Sequence, residues 1–323
     1  MPMGRSYERN WLTDLVNRKP DNTVIAGFHY EYAYDPANGK LGKNGTRTAV
    51  VEEILTPQGT SPQVIKARVD YQYDDLYRLI REKRIGNNGD PGVAYDKQYF
   101  YDPAGNRIRM IADGVQTDYT YDAANKMLTA GSATFTYDDA GNTLTKTDGS
   151  TVTTYTWDYR NTMTHWASTG QQSIEFTYDG NRSRVGRVRN GIISEFLLDG
   201  REIVEEISGT DIVSYIGPRL IGSLHDTDKS LSHPDGVGST RITTNGSEAI
   251  ESAMIYDAFG NLLWCQSLDG NPTFGYAGQF RYYTDQTGLQ YLKARHYDPA
   301  VGRFVSRDPI GYKGGLNLYG YVG

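Results

Sequence analysis

The sequence predicts an all-β protein, a curved sheet made of tandem β-hairpins. The clearest unit is FTYDDAGNTLTKT at residues 135–147, in which Phe135 and Tyr137 alternate with threonines. This period of two is typical of a half-buried β-strand with its rings on one face. The Gly-Asn pair in the middle of the unit favours a chain reversal, because glycine adopts positive φ freely and asparagine bonds nearby backbone. A second strand then returns, so one unit is a hairpin.

The aromatic-Asp pair of this unit recurs along the chain. Successive pairs are 20, 16, 20 and 21 residues apart, which is the self-similarity expected of a repeat protein. Another aromatic residue stands two positions before each pair, so we expect ladders of rings across neighbouring strands. The pairs begin at Tyr101, Tyr121, Tyr137, Trp157 and Tyr178.

The pattern divides the chain into three segments. Residues 1–29 form an irregular N-terminal segment, in which the apolar residues between Trp11 and Val16 have a weak helical spacing. Residues 30–204 are the hairpin array. Residues 205–323 start with shorter strands and denser Gly and Pro, and return to the repeat at YDAFGN before a dense final run.

The composition argues against nucleic-acid binding. With 33 Lys and Arg against 39 Asp and Glu the net charge is -6, whereas nucleic-acid-binding domains carry a basic footprint. Tyr occurs 26 times against 9 Phe, a bias toward rings with a polar tip. A cluster of arginines is a local exception to the acidic balance, and we expect it on a solvated strand face. The cluster consists of Arg182, Arg184, Arg187 and Arg189.

No motif in the chain predicts a metal or a cofactor. Cys265 is the only cysteine, which excludes an intramolecular disulfide and a thiolate cluster. The five histidines lack the spacing of metal ligands. His233 and Asp235 stand two residues apart, and we interpret them as a structural hydrogen bond.

The amino terminus has no apolar run long enough for a signal peptide, and no segment approaches the length of a membrane span. We therefore expect the chain to be made in the cytoplasm. Any export would use a specialised secretion route.

The last third of the chain contains sequence blocks that identify the family this chain resembles. Together with the Tyr-Asp repeats, four blocks in this order resemble the Rhs (YD-repeat) family over roughly residues 30–323. The carboxy-terminal part, through GGLNLYGYV, resembles the repeat-associated core domain of that family. The blocks are HPDGVGSTR, YDAFGN, GLQYLKARHYDP and GRFVSRDPIG, which start at His233, Tyr256, Gly288 and Gly302.

The resemblance implies a β-ribbon that spirals into a hollow shell around a toxic polypeptide, as in bacterial Rhs toxins and the related insecticidal toxin complexes. Teneurins use a similar barrel at animal cell surfaces. This chain would then be a structural shell module that encloses a carboxy-terminal toxin cargo. Its implied partners are the cargo, the remainder of the shell and a secretion-system component, with no nucleic acid and no membrane span.

The same resemblance implies an intramolecular aspartyl protease in the core domain, which frees the cargo. Asp308 matches its first acidic motif, and Arg307 and Arg295 are cations able to hold Asp308 ionised. Aspartyl hydrolysis needs two carboxylates that share a proton. The second motif, Asp-Pro-x-Gly-Leu, is expected beyond residue 323, so we expect no competent protease within residues 1–323. The alternative interpretation of Asp308 is an Asp-Pro turn.

The aromatic rows also favour a second alternative, a carbohydrate-binding surface. Rings flanked by Asp and Asn are what such a sheet would present, and Trp157, Tyr137 and Tyr121 are the candidates. The competing interpretation is that the rings pack against one another and against adjacent hairpins.

Overall fold

The computed structural model describes residues 3–8, 11–32, 34–35, 40–41, 46–57, 63–87, 90–267 and 273–321. These residues form a nearly all-β fold with two single-turn 3₁₀ helices, Gly278–Phe280 and Gly311–Gly314. The predicted fold class is therefore confirmed.

The strands are short and follow one another closely. In chain order they are β1 (Met3–Glu8), β2 (Trp11–Arg18), β3 (Val24–Tyr32), β4 (Tyr34–Asp35), β5 (Lys40–Leu41), β6 (Arg47–Leu55), β7 (Val64–Tyr73), β8 (Leu79–Gly86), β9 (Tyr95–Tyr101), β10 (Arg107–Ala112), β11 (Val115–Tyr121), β12 (Met127–Ala130), β13 (Ala133–Tyr137), β14 (Thr143–Asp148), β15 (Thr151–Trp157), β16 (Met163–Ser168), β17 (Ile174–Tyr178), β18 (Arg184–Arg189), β19 (Ile192–Asp199), β20 (Glu202–Ser208), β21 (Asp211–Ile216), β22 (Gly222–His225), β23 (Asp228–Pro234), β24 (Thr240–Asn245), β25 (Ile250–Tyr256), β26 (Leu262–Ser267), β27 (Tyr283–Thr284), β28 (Gln290–Tyr291), β29 (His296–Asp298) and β30 (Arg303–Phe304).

A long antiparallel sheet of 24 strands contains β1 to β3 and β6 to β26. Strands that follow one another in the chain pair with each other, as β13 does with β14 and β14 with β15. The register shifts by one residue just before the aromatic residue of four repeats, at Tyr121, Tyr137, Trp157 and Tyr178. This bulge twists the hairpin where its turn begins. The strands β27 to β30 form a separate four-stranded sheet, and β4 pairs with β5.

The helical spacing predicted near the amino terminus is wrong. Residues 11–18 form β2, which pairs with β1 on one side and with β3 on the other. Leu15 and Asn17 are buried on the same face of this strand, at 1% and 2% exposure. Main-chain bonding on both edges and burial of alternate side chains outweigh a weak local preference, as is usual in sheets.

The chain forms two compact units. Unit 1 consists of Met1–Tyr99, Ile111–Val115 and Lys229–Phe280, and unit 2 of Phe100–Met110, Gln116–Asp228 and Arg281–Gly323. The predicted division into three segments stays a prediction.

Each unit has its own hydrophobic core. In unit 1, side chains of β2, β3, β6 and β7 such as Leu15 and Ile54 pack with Ile242 and Ala253 of β24 and β25. In unit 2, Trp166 and Phe176 of the hairpins pack with Leu289 and Val305. Residues 281–321 therefore cover the aromatic face of the unit 2 hairpins. We call them the covering segment.

Candidate functional site

One turn geometry is repeated at nine aspartates of the described chain. In each, the N–H of an aspartate donates to the carbonyl four residues later, and the N–H three residues later donates to the aspartate carbonyl. The residue at that third position has positive φ, as Gly141 does at 87° and Asn161 at 62°. The Asp-x-x-Gly/Asn spacing follows from this geometry. The aspartates are Asp74, Asp102, Asp122, Asp138, Asp158, Asp179, Asp235, Asp257 and Asp285.

The aspartate carboxylate completes the turn in eight of these places. Its Oδ1 accepts the N–H of the residue four positions later at 2.8 to 3.0 Å. Where that residue is asparagine, as at Asn142, its side-chain amide donates to Oδ2 at 2.8 Å. An Asp at each turn thus satisfies main-chain donors that the sheet leaves free.

The aromatic residue before the aspartate binds the preceding hairpin through its polar tip. The hydroxyl of Tyr121 donates to the carbonyl of Arg107 at 2.8 Å, and the indole N–H of Trp157 donates to the carbonyl of Thr143 at 2.7 Å. This explains the preference for Tyr and Trp over Phe at these positions, since a buried ring with a polar tip needs a partner.

The rings of the unit 2 hairpins also pack against the covering segment. Tyr178 lies edge-on to Tyr291 with ring centroids 6.4 Å apart. The ring of Phe196 is tilted against that of Tyr283, with centroids 5.6 Å apart. The ladders predicted from the sequence join rings along the sheet, whereas these contacts join the sheet to residues about a hundred positions further on.

A buried ion pair fixes the covering segment to β18. The Arg184 guanidinium lies 2.6 Å from the Asp285 carboxylate, and both side chains are fully buried. Four rings surround the guanidinium, with that of Tyr291 closest at 4.3 Å. Burial alone would lower the pKa of Arg184, but Asp285 and the neighbouring tyrosines raise it above its ordinary value. The guanidinium is therefore charged. Burial raises the pKa of the Asp285 carboxyl, and the adjacent Arg184 guanidinium opposes that shift.

The solvated strand face predicted for the four arginines is wrong for Arg184. It is 1% exposed, and Arg187 beside it lies 2.7 Å from Glu206 with most of its side chain covered. The chain buries these charges because the covering segment and β20 bring carboxylates to them, which a local strand pattern does not reveal. Arg182, at the turn before β18, is exposed as expected.

A cleft of about 520 Å³ lies in unit 2 between two repeat turns and the covering segment. Its walls carry Trp157, Tyr159 and Tyr178, and its floor includes His296, whose pKa burial lowers to about 3. The imidazole is therefore neutral at physiological pH. Five arginines also line the cleft, namely Arg160, Arg182, Arg201, Arg295 and Arg307.

The cleft contains all three residues predicted for the protease motif. Asp308 Oδ2 lies 2.8 Å from Arg295 Nη2, and its Oδ1 accepts the N–H of Ile310 at 3.0 Å. The Arg295 guanidinium stacks on Phe304 at 3.5 Å. Arg307 sits over Gly141 rather than over Asp308. Asp308 is the only carboxylate among the described residues that line the cleft, and its role stays a prediction.

The three rings predicted for carbohydrate binding are not brought together in this cleft. Trp157 is in its wall, whereas Tyr137 packs edge-on against Tyr319 and Tyr121 bonds to Arg107 as described. Carbohydrate binding stays a prediction.

His233 does not bond to Asp235. It lies 3.0 Å from the hydroxyl of Thr244, and burial lowers its pKa to about 4.

Sequence reasoning missed Asp285 and its pairing with Arg184. The available signal was the repeat-turn spacing itself, because Asp285 precedes Gly288 by three residues just as Asp138 precedes Gly141.

Within the described ranges, no group of three His, Cys, Asp or Glu residues is placed to hold a metal. No helix of the described residues is long and apolar enough to cross a membrane.

The sequence profile of the teneurin YD-shell family matches residues 25–207, which is more than half of the chain. The chain belongs to this family. A YD shell is a structural module, and the resemblance predicted from the repeats and the carboxy-terminal blocks is confirmed.

Curated relatives extend the similarity over nearly the whole chain. Double-stranded DNA deaminase toxin A of Burkholderia cenocepacia (strain H111) is 26% identical over 90% of this chain and 20% of its own length. Probable deoxyribonuclease RhsA of Dickeya dadantii (strain 3937) is 27% identical over 98% of this chain and 22% of its own. Toxin subunit YenC2 of Yersinia entomophaga is 23% identical over 90% of this chain and 36% of its own length. The chain thus spans about a fifth of the first two relatives.

Among solved structures, the crystal structure of TcdB2-TccC3-Cdc42 is similar to this chain. The alignment covers 95% of this chain and 21% of the chain in that structure. The TM-score is 0.46 and the sequence identity is 16%.

Proposed function

We propose that this YD-shell chain is the shell module of an Rhs-type polymorphic toxin and that it encloses a toxin polypeptide. The observation that carries the proposal is the covering segment, which the Arg184–Asp285 pair and a row of ring contacts hold on the aromatic face of the hairpins. Three relatives that share this region are toxins or probable nucleases by name and are several times longer. A wall around such a polypeptide fits both findings.

The partners follow from this role. The enclosed cargo and the rest of the shell are the first, and a secretion-system component is the next. We infer that the bacterial protein works after export through a specialised route.

The test is protease protection in the complete gene product with its cargo. We expect the cargo to survive a protease concentration that digests the same cargo expressed alone. Arg184→Met leaves Asp285 buried without its partner, at a cost of about 3 to 5 kcal/mol, so the variant should lose protection. Arg189→Met, at the other end of β18, is the matched control and should keep it. Digestion of the native cargo as fast as the free cargo would refute the proposal.

An aspartyl autoprotease is the alternative, favoured by the position of Asp308 in a cleft beside Arg295. A longer form of the chain that includes the second acidic motif should cut itself, and Asp308→Asn should abolish the cut. Asp102→Asn changes an equivalent Asp-Pro turn outside the cleft and should leave cutting intact. Continued cleavage in the Asp308 variant would rule out this role.

A further inference from the structure

The cleft of unit 2 concentrates positive charge on an acidic protein. The chain has a net charge of -6, yet five arginines line the cleft against the single carboxylate of Asp308 among its described lining residues. Charge of one sign gathered in a partly enclosed space attracts an oppositely charged ligand more strongly than the same charges on an open surface.

Two of the five arginines already hold a carboxylate of this chain. Arg295 pairs with Asp308 at 2.8 Å, and Arg160 pairs with Asp158 at 3.2 Å. The Arg295–Asp308 pair shows that a carboxylate reaches a guanidinium group in this cleft. The planar guanidinium is suited to them, because its N–H groups form a fixed fork that matches a carboxylate.

The other three arginines form no ion pair within the described part of the chain. Arg201 donates to the main-chain oxygen of Lys293 at 3.2 Å, and Arg182 is exposed at its turn. Nε of Arg307 is buried without a hydrogen-bond partner. That nitrogen faces Gly141, where an added methyl group would lie 2.4 Å from it. Arg307 nevertheless lines the cleft and contributes its positive charge there.

We propose that the cleft binds an acidic segment of polypeptide, with Asp or Glu side chains on Arg182, Arg201 and Arg307. The inference rests on the proposed function, in which a polypeptide is the enclosed partner. A nucleic acid is disfavoured, since the net negative charge of the chain repels a long polyphosphate beyond the cleft. The space of about 520 Å³ admits a short segment and leaves Trp157 and Tyr159 beside its apolar parts.

The test measures binding of a fluorescein-labelled octaglutamate peptide to the complete chain by fluorescence anisotropy at low salt. The double variant R182Q/R201Q changes two turn residues without removing an ion pair found in the structure. We expect its Kd to rise at least about tenfold, which corresponds to ~1.4 kcal/mol. Arg189→Gln makes the same kind of change outside the cleft and should bind like the native chain. Added salt should weaken native binding.

Three results would overturn the inference: no peptide binding by the native chain at millimolar concentration, equal binding by native and double-variant chains, or tighter binding of a labelled oligothymidylate than of the peptide. Protection of the cargo from protease is a separate readout. If the cargo is protected and the peptide does not bind the arginines, only the cleft assignment fails. If the cargo is digested like free cargo, the shell function itself fails.

Discussion

At the scale of the residue, each repeat depends on one aspartate that binds the main chain of its own turn. Asp138 accepts the N–H of Asn142 on one oxygen and the Asn142 side-chain amide on the other, both at 2.8 Å. The next residue, Asp139, is exposed. The neighbouring pair therefore separates the effect of the turn bonds from the effect of a negative charge.

Asp138→Ala should lower the free energy of unfolding by about 1 to 3 kcal/mol, because it leaves main-chain and amide donors without their acceptor. Asp139→Ala should change it by less than about 0.5 kcal/mol, the usual size for an exposed position. Urea unfolding of both variants measures the difference. Equal losses would show that the carboxylate bonds do not stabilise the turn.

Glu82 in unit 1 makes stability depend on pH. It is 1% exposed, and burial together with the nearby Asp257 raises its pKa to about 7, while Tyr95, the Ala258 N–H and Lys97 oppose the shift. The folded state therefore binds a proton that the unfolded state has released between about pH 4.5 and pH 7. Stability from this group falls as pH rises through that window.

Glu82→Gln removes this titration and keeps an oxygen that can accept from Tyr95 and Ala258, as Oε1 does now at 2.6 and 3.0 Å. The variant should gain stability relative to the native chain as pH rises from 5 to 8, by up to about 3 kcal/mol. Denaturant unfolding at several pH values measures the gain. A difference that stays constant with pH would contradict the assignment.

The turns could be predicted from the sequence because every contact that defines them lies within five residues. The burial of Arg184 could not, since its partner Asp285 is 101 residues away and four arginines in eight residues match a solvated strand equally well. For the same reason Asp308 and its arginines could be named from a motif, while their gathering with Arg160 and Arg201 in one cleft depends on the covering segment.

At the scale of the element, the covering segment packs tightly against the repeat turn that contains Gly141. A methyl group added at Gly141 would lie 2.4 Å from Nε of Arg307 and 2.7 Å from the hydroxyl of Tyr319. Gly105 occupies the same position in its own turn, with φ of 82° against 87°, and has nothing within 4 Å of the added methyl. The two glycines share the backbone demand and differ in packing.

Gly105→Ala should therefore cost about 1 to 2 kcal/mol for the left-handed backbone alone. Gly141→Ala should cost more, because the added methyl displaces Arg307 and the buried Tyr319 as well. Urea unfolding compares the two, and hydrogen exchange should show faster exchange in residues 303–321 for the Gly141 variant only. Equal losses of unfolding free energy and equal hydrogen exchange in the two variants would mean that the covering segment does not pack tightly against this turn.

The strand array itself follows from the period of two and the repeated turns, which is why its all-β character was predictable. The weak helical spacing of residues 11–16 misled the prediction because strand pairing with β1 and β3 depends on main-chain bonds to both neighbours. Which rings meet the covering segment depends on register over about a hundred residues, as in the Tyr178–Tyr291 contact.

At the scale of the whole molecule, a chain of net charge -6 combines a sheet of 24 strands with a cleft of opposite charge. Neither a catalytic pair of carboxylates nor a cluster of metal ligands occurs among its described cleft residues. Its similarity to longer toxins covers about a fifth of the first two of them. These properties fit the enclosure of a polypeptide that we propose for the sheet.

Single-particle electron microscopy of the complete gene product tests this role most directly. We predict that the hairpin strands continue into a wall and that the cargo appears as irregular density on the inner side of that wall, beside the aromatic face and the covering segment. A cargo folded as a compact domain outside the sheet, with nothing enclosed, would contradict it.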